Sequence, residues 1–327
     1  MNTFDNIIDK FTTVKAVVIG DIMLDVYEYL LTKESKILLS EKESKRAYVA
    51  QQSIRVLGGA GNVAVTLRSL GAQTSLIGIS GNDEQYFTLR ELSEQINISH
   101  CIVRDSSRPT TVKHRLYIDN EYLLRKDNEK SCKIDNETML VLLQESLREI
   151  HGKDVVVLSD YNKGFFVETF TQEIIKECRR LSIPVVVDFK PANCKIFSGA
   201  DIISPNLNEA CELYPSFSLE NLEEGTKNIY AMLNCSSLVI TLGENGLSGF
   251  DGKKHFHIEG MKVNALDAVG CGDTVRAVMA LGKTLGFPLK DCAKLANYAA
   301  AVIVQKPNTS TITSEELKEF IHRYEHE

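Results

Sequence analysis

Near the end of the chain stands LDAVGCGDTVRA, Leu266–Ala277, where Gly270, Cys271 and Gly272 lead directly into Asp273 and a stretch of helical character. Side chains this small leave backbone N–H groups open to an anion, and the dipole of the following helix adds partial positive charge. Such a nest stabilises charge developing on a transferring phosphoryl group. Asp273, next in line, is close enough to take a proton from an attacking hydroxyl. Taken alone, the same residues also describe a loop ending in a helix N-cap. A second glycine-rich stretch, GGAGNVAVTLRSLGA at 58–72, sets Gly59 and Asn62 at the start of an amphipathic helix. Glycine admits close approach to the backbone and an amide side chain holds a hydroxyl, although a plain turn has the same composition. A dinucleotide fingerprint is a poor fit, because these glycines do not follow the first strand.

Such residues need a frame to bring them together. Short β-branched runs flanked by Gly, Pro or Asp, at 16–21, 75–81, 154–160, 184–189, 201–206 and 237–243, read as buried parallel strands. Amphipathic stretches such as 137–150 and 169–181 lie between them, which predicts an α/β fold with right-handed crossovers. Polar residues gather where the strands end: GDIMLD after the first, then SDYNKG, DFK, PNLNE and TLGENG. Ligands of open α/β sheets sit beyond the carboxyl ends of the strands, so one convergent crevice is expected there. Segments 27–56 and 111–127 break the rhythm and predict a small β lid, the second as a hairpin turning at Asp119-Asn120. For the charged part at 31–47 a loop is the lesser alternative. The tail TSEELKEFIHRYEHE predicts a helix with Thr313 and Glu316 in a capping box and Leu317, Phe320, Ile321 and Tyr324 on one face.

The 327 residues carry 37 Lys and Arg against 44 Asp and Glu, a net charge of −7, which argues against nucleic acid held on a broad basic surface. Local amides and lysines still suit an anionic small substrate. The eight cysteines show no CxxC pair and no metal spacing, so they read as reduced thiols of a cytoplasmic protein. The first residues lack the order of a signal peptide, and no apolar run nears the roughly 20 residues of a membrane span. A soluble chain without a membrane partner is expected, of a length that suits one large α/β domain with an insertion, or two domains.

These motifs resemble the PfkB (ribokinase-like) family of sugar kinases over essentially the whole chain. The family's N-terminal signature is met from GGAGN through Gly71 to Gly81. Its C-terminal signature is met at Asp267, Gly270, Gly272, Asp273 and Ala277, while Ala268, Cys271 and Val278 depart from it. Within the family, GDIMLD, TTVKHR with LLRKD, LSDYNKG, VVDFK, SPNLNE and ANYAAAVIVQKPNTST, in that order, are most similar to kinases of D-glycero-β-D-manno-heptose 7-phosphate. Those kinases form one half of a bifunctional protein of ADP-heptose synthesis; the nucleotidyltransferase half has no counterpart here, so a stand-alone kinase is expected. Two stretches differ from the pattern. The charged TKESKILLSEKESKR replaces a proline-bearing lid segment where sugar specificity is set, and QKPNT replaces a glycine-containing stretch on the nucleotide side.

The resemblance implies a single ribokinase-like α/β domain over 1–327, with a central, mostly parallel sheet flanked by helices and a small β lid. It implies an ATP-dependent kinase that converts the heptose 7-phosphate to the 1,7-bisphosphate at the anomeric hydroxyl, in lipopolysaccharide core precursor synthesis. Fructose, ribose, a hexose phosphate or a nucleoside are alternative acceptors. A catalytically inactive binding protein is a further alternative, against which the intact Asp273 and its flanking glycines argue. Asp273 is implied as the catalytic base and the amides of Gly270, Cys271 and Gly272 as an anion hole, with the Cys271 thiol crowding the phosphate. Asp21, Asp25, Gly59 and Asn62 would bind sugar hydroxyls. Lys113, Arg115 and Lys163 would meet the sugar's phosphate, although Lys113 and Arg115 equally suit a solvated hairpin face. Asn206 and Glu209 would organise Mg²⁺ largely through water and phosphates, as suits a hard ion that keeps its hydration. Thr241, Gly243 and Gly246, with Asn297 near the adenine, would form the ATP pocket. A monovalent cation near Asp267 and a homodimer built through the lid are further implications of family likeness.

Overall fold

Runs of Val and Ile too short for a helix pair side by side at the centre of the molecule. The computed structural model describes residues 3–37 and 46–326. Nine strands form the main sheet in the order His255–Ile258, Leu247–Phe250, Ser237–Thr241, Ile202–Ile203, Val185–Asp188, Val155–Ser159, Lys15–Gly20, Gln73–Gly81 and Ser99–Asp105. Only Leu247–Phe250 runs against the others. The first strand of the chain therefore sits inside the sheet, with Val17 opposite Val156 on one side and Ser75 on the other.

Alternation along a strand sends successive side chains to opposite faces. Ala16 and Val18 join one buried cluster with residues of helices Ala60–Ser69, Cys271–Thr284 and Leu289–Ile303. Val17 and Ile19 join a second, beneath helices Asn136–Ile150 and Glu168–Leu181. Being covered on both faces is what makes these strands continuously apolar in sequence. The C-terminal helix Ser314–His326 closes the first layer, with Leu317 and Ile321 fully buried while Tyr324 stays at the rim. Its expected capping box forms: Thr313 Oγ1 accepts from the Glu316 N–H at 3.2 Å, and Glu316 Oε2 accepts from the Thr313 N–H at 2.9 Å.

A separate four-stranded sheet stands over the carboxyl ends of the main strands, in the order Ala50–Gly59, Ile22–Leu30, Val112–Ile118 and Glu121–Asn128. The hairpin turns at Asp119 and Asn120, both left-handed with φ of 52° and 67°, the conformation a tight two-residue turn demands. Ile22–Leu30 is buried at its start, where it leaves the main sheet, and partly open at its end. Of the charged stretch expected as lid or loop, positions 38–45 lie outside the described residues. Among the described residues no helix is long and apolar enough to cross a membrane.

Three strands escape the sequence reading. Ser99–Asp105 mixes polar residues into its pattern, and Leu247–Phe250 and His255–Ile258 are four-residue edge strands too short to show a period. Conversely, the run at 201–206 contributes only Ile202 and Ile203 as strand.

Candidate active site

The helix Cys271–Thr284 begins beneath the lid, beside the ends of strands Lys15–Gly20, Val155–Ser159 and Val185–Asp188. Gly270 caps it in the left-handed region, φ 84°, where a side chain would be strained. The Cys271 N–H turns back to Ala268 O at 3.3 Å, whereas the N–H groups of Gly270, Gly272 and Asp273 have no acceptor among the described residues. The open amides are thus those of 270, 272 and 273, one residue displaced from the expected 270–272. Cys271 differs from expectation in a second way. Its Sγ lies 3.9 Å from Ala300 O and packs against the apolar core, so the thiol faces the neighbouring helix and does not crowd the mouth of the nest. Burial, then the carboxylates of Asp267 and Asp273, push that thiol up to about 11, so it remains protonated and inert.

Asp273 is buried, and both its oxygens are engaged. Asn62 Nδ2 donates to Oδ2 at 2.7 Å; Tyr161 Oη and Arg276 Nη1 donate to Oδ1 at 2.9 and 3.1 Å. The two glycine-rich motifs therefore meet through Asn62 and Asp273. Gly59, φ 59°, makes that possible: its Cβ would fall 2.5 Å from Asp21 O, where the chain leaves strand and enters helix. Asp21 lies alongside and accepts from the N–H groups of Tyr161 and Lys163 at 2.8 and 3.2 Å. Burial, and then the neighbouring Asp160, push Asp21 up to about 7.

Above these groups the lid supplies Lys113 and Arg115, both of them paired. Arg115 Nη1 lies 2.6 Å from Asp25 Oδ1, and Thr309 Oγ1 donates to Asp25 Oδ2 at 3.4 Å. Burial raises the Asp25 carboxyl, partly offset by Arg115. Lys113 from the lid and Lys163 from the loop after Val155–Ser159 converge on one carboxylate: each Nζ is 2.7 Å from an oxygen of Glu129, and Lys113 also reaches Asp127 at 2.8 Å. With side chains 12% and 11% exposed, Lys113 and Arg115 are not a solvated hairpin face. Arg108 fixes the loop from behind, donating to Lys163 O at 2.6 Å.

The nucleotide-side residues lie along the other half of the sheet. Asn206 and Glu209 cap helix Leu207–Leu213 reciprocally, and Glu209 Oε1 also accepts from Lys190 Nζ at 2.5 Å. Thr241 bridges to Asn206 at the end of its strand. Gly243 and Gly246 both adopt positive φ; a Cβ at 243 would meet open space, while one at 246 would collide with Ile258 O. Asn297 spends its amide on Glu259 O at 2.9 Å. Asp267 accepts from the Val269 N–H at 2.9 Å and borders a cleft of about 760 Å³ with Tyr29, Arg115, Tyr117 and Asn308. Among the described residues no group of three or more His, Cys, Asp or Glu is placed to hold a metal ion.

Sequence reasoning did not single out Tyr161, Asp188, Arg276 or Glu129. Tyr161 and Asp188 lay within quoted motifs, and Arg276 stands three residues after Asp273, the spacing that brings two side chains together on a helix. Glu129 carried no signal, since only the folded hairpin brings it between two lysines.

The chain is similar to known proteins over nearly its whole length. The model of the pfkB family carbohydrate kinases matches residues 14–316. A bifunctional protein HldE from Rhodopseudomonas palustris (strain HaA2) is 32% identical over 324 residues, covering 97% of this chain and 65% of its own length. The HldE protein of Campylobacter jejuni subsp. doylei is 34% identical over 317 residues, covering 94% and 64%. The chain thus spans slightly less than two thirds of these relatives. Among solved structures, phosphofructokinase-2 from Escherichia coli in complex with potassium superimposes with a TM-score of 0.79 at 17% identity, covering 95% of this chain and 99% of that one. Arabidopsis thaliana ribokinase complexed with ribose and ATP gives 0.70 at 18%, covering 94% and 98%. Both likenesses establish the ribokinase-like fold.

Proposed function

This chain belongs to the pfkB family of carbohydrate kinases, phosphotransferases that act on a sugar hydroxyl, and from that premise we propose that its acceptor is the anomeric hydroxyl of D-glycero-D-manno-heptose 7-phosphate, with ATP as donor. The observation that carries the sugar-phosphate reading is the convergence of Lys113 and Lys163 on Glu129, each at 2.7 Å. Two lysines from separate elements, drawn to one point beside the crevice, suit a terminal phosphate of nearly two negative charges. Glu129 keeps them from repelling one another until the phosphate arrives.

Asp21, Asp25, Gly59 and Asn62 line the path from these cations to Asp273 and hold the sugar's hydroxyls. Asp273 takes the hydroxyl proton as the sugar oxygen bonds to the γ-phosphorus and the bond to ADP breaks. The open N–H groups at 270, 272 and 273 face the developing negative charge. The open space above Gly243 and the strand end at Thr241 suit the nucleotide, with Gly246 shaping the turn and Asn297 fixing the neighbouring Glu259 loop. Mg²⁺, when bound, would supply charge neutralisation. Asn206 and Glu209 fit an outer role toward it, because their capping box and Lys190 already occupy them and an ion held mainly by phosphate and water needs few protein ligands. Asp267 is the place for a monovalent cation, a reading supported by the potassium complex of the structural neighbour.

Measuring ADP release tests the proposal, with the heptose 7-phosphate, the unphosphorylated heptose, fructose 6-phosphate and ribose offered in parallel. The 7-phosphate should exceed the neutral heptose in kcat/KM by at least about tenfold, the worth of one charge-assisted contact. Equal use of the neutral sugar, or preference for fructose 6-phosphate or ribose, would remove the heptose-phosphate assignment and leave the kinase family untouched.

A further inference from the structure

A general base ordinarily gains nothing from a guanidinium in contact with it, because the cation weakens its hold on a proton. Yet Arg276, buried one turn along the same helix, places Nη1 3.1 Å from Asp273 Oδ1 and Nη2 2.7 Å from Asp188 Oδ1. We propose that Arg276 and Asp188 are positioning residues that divide the Asp273 carboxylate into an anchored oxygen, Oδ1, and a reactive oxygen, Oδ2, which receives the substrate's proton. The inference rests on the reading of Asp273 as the base and extends it to named atoms.

Each carboxylate oxygen offers two lone-pair directions. At Oδ1 both are taken, by Arg276 and Tyr161, whereas Oδ2 accepts only from Asn62 and keeps one direction free. Arg276 is planar and permanently charged, so it fixes the carboxylate plane where a lysine would not. Asp188 then answers the electrostatic objection. Ending its strand on the far side of the guanidinium, it draws off part of the positive charge that would otherwise fall on Asp273 alone.

The groups facing this cluster come from several elements. Tyr161 arrives from the loop after Val155–Ser159, Asp25 from the lid strand, Lys190 and Glu209 from beyond Asp188, and Cys271 from the start of the helix itself. Burial raises the Tyr161 phenol well above its ordinary value, with Asp273 and Asp188 adding to it, so this phenol remains a donor throughout the working range. Burial likewise pushes Asp188 up to about 7, against the pull of Arg276. Proton uptake at Asp188 would therefore throw the whole Arg276 charge onto Asp273.

Profiles of kcat against pH decide the matter, measured on whichever sugar of the panel releases ADP fastest. Arg276→Met should move the acid limb to higher pH by about 1 unit, and Asp188→Asn should alter the profile only above about pH 7, where Asp188 carries its charge, while KM for ATP and sugar stay within about twofold. Arg276→Lys should restore part of the shift. Because Arg276→Met leaves two buried acids without their cation, the double variant Arg276→Met/Asp188→Asn, which leaves only Asp273, still held by Asn62 and Tyr161, provides a folded comparison. Loss of kcat by the same factor at every pH, with the acid limb in place, would mean a structural role only and overturn the proposal. That result differs from failure of the underlying reading, in which Asp273→Asn itself would keep its kcat, and from a change of preferred sugar, which leaves the limb shifts intact.

Discussion

At the scale of single residues, carboxylates in unlike surroundings divide the work. The proposed base, Asp273, drew notice from its place after Gly270-Cys271-Gly272 at a helix start. Asp273→Asn should lower kcat by roughly 10²-fold or more while leaving KM for ATP and sugar nearly unchanged, because the loss falls on proton transfer. Steady-state kinetics at saturating substrates measure it, and an unaltered kcat would refute the assignment. Asp21 makes a different prediction. Its folded value of about 7 lies above the ordinary carboxyl value of 3.8, so between those limits the folded chain holds a proton that the unfolded chain has released. Stability from this group is present at low pH and is lost as pH rises through 7. Asp21→Asn, which still accepts the Tyr161 and Lys163 N–H groups, should raise Tm at pH 8 by roughly 2–4 °C or more, with the gain fading toward pH 4. Sugar affinity should fall in the same variant, the usual cost of a site built for binding. Thermal melts at the two pH values check the sign. The perturbed state of Asp21 was not legible, because burial is a property of the assembled fold.

Elements show a similar division between what a local pattern encodes and what pairing adds. The strands Lys15–Gly20, Val155–Ser159 and Val185–Asp188 announce themselves because two covered faces require unbroken apolar runs. The lid hairpin announces itself through Asp119-Asn120, residue types that tolerate the left-handed turn. That Val112–Ile118 lies parallel to Ile22–Leu30, and so brings Lys113 toward Lys163, depends on long-range pairing that no window of sequence contains. Lys163→Met should raise KM for the sugar phosphate by about 10- to 150-fold and leave KM for ATP unchanged. Arg115→Met is a poorer probe, since it strands the buried Asp25 and would cost about 3–5 kcal/mol of stability besides. The anion-binding turn offers a complementary test. With its thiol packed toward Ala300, Cys271→Ala should leave kcat within about threefold, because the open N–H groups belong to its neighbours and a small core side chain costs little to shorten. A collapse of activity in a normally folded protein would assign the thiol a role that its position does not suggest.

For the whole molecule, the lid leaves one edge unexplained. Glu121–Asn128 forms the outer strand of the lid sheet with every residue exposed, and Tyr122, Leu123 and Leu124 are 56%, 54% and 43% accessible. An edge strand with apolar side chains on both faces invites pairing, and proteins ordinarily protect such edges with charge, a bulge or a cover. Here the charges Arg125 and Asp127 satisfy each other at 2.8 Å and leave the apolar residues bare. A second copy of this chain, joined lid to lid, is the cover that the exposed strand suits, and stable pairing of that kind buries roughly 1,200–2,000 Å² in total. Sedimentation at micromolar concentration should show a dimer. The double substitution Leu123→Glu/Leu124→Glu should return it to a monomer, since like charges would then face each other across the contact. Because Lys113 and Arg115 lie on the adjoining strand, the monomer should also bind the sugar phosphate less tightly, with KM for ATP unmoved. A wild-type protein that sediments as a monomer at tens of micromolar, or a charged variant that dimerises equally well, would show that the lid edge stands free.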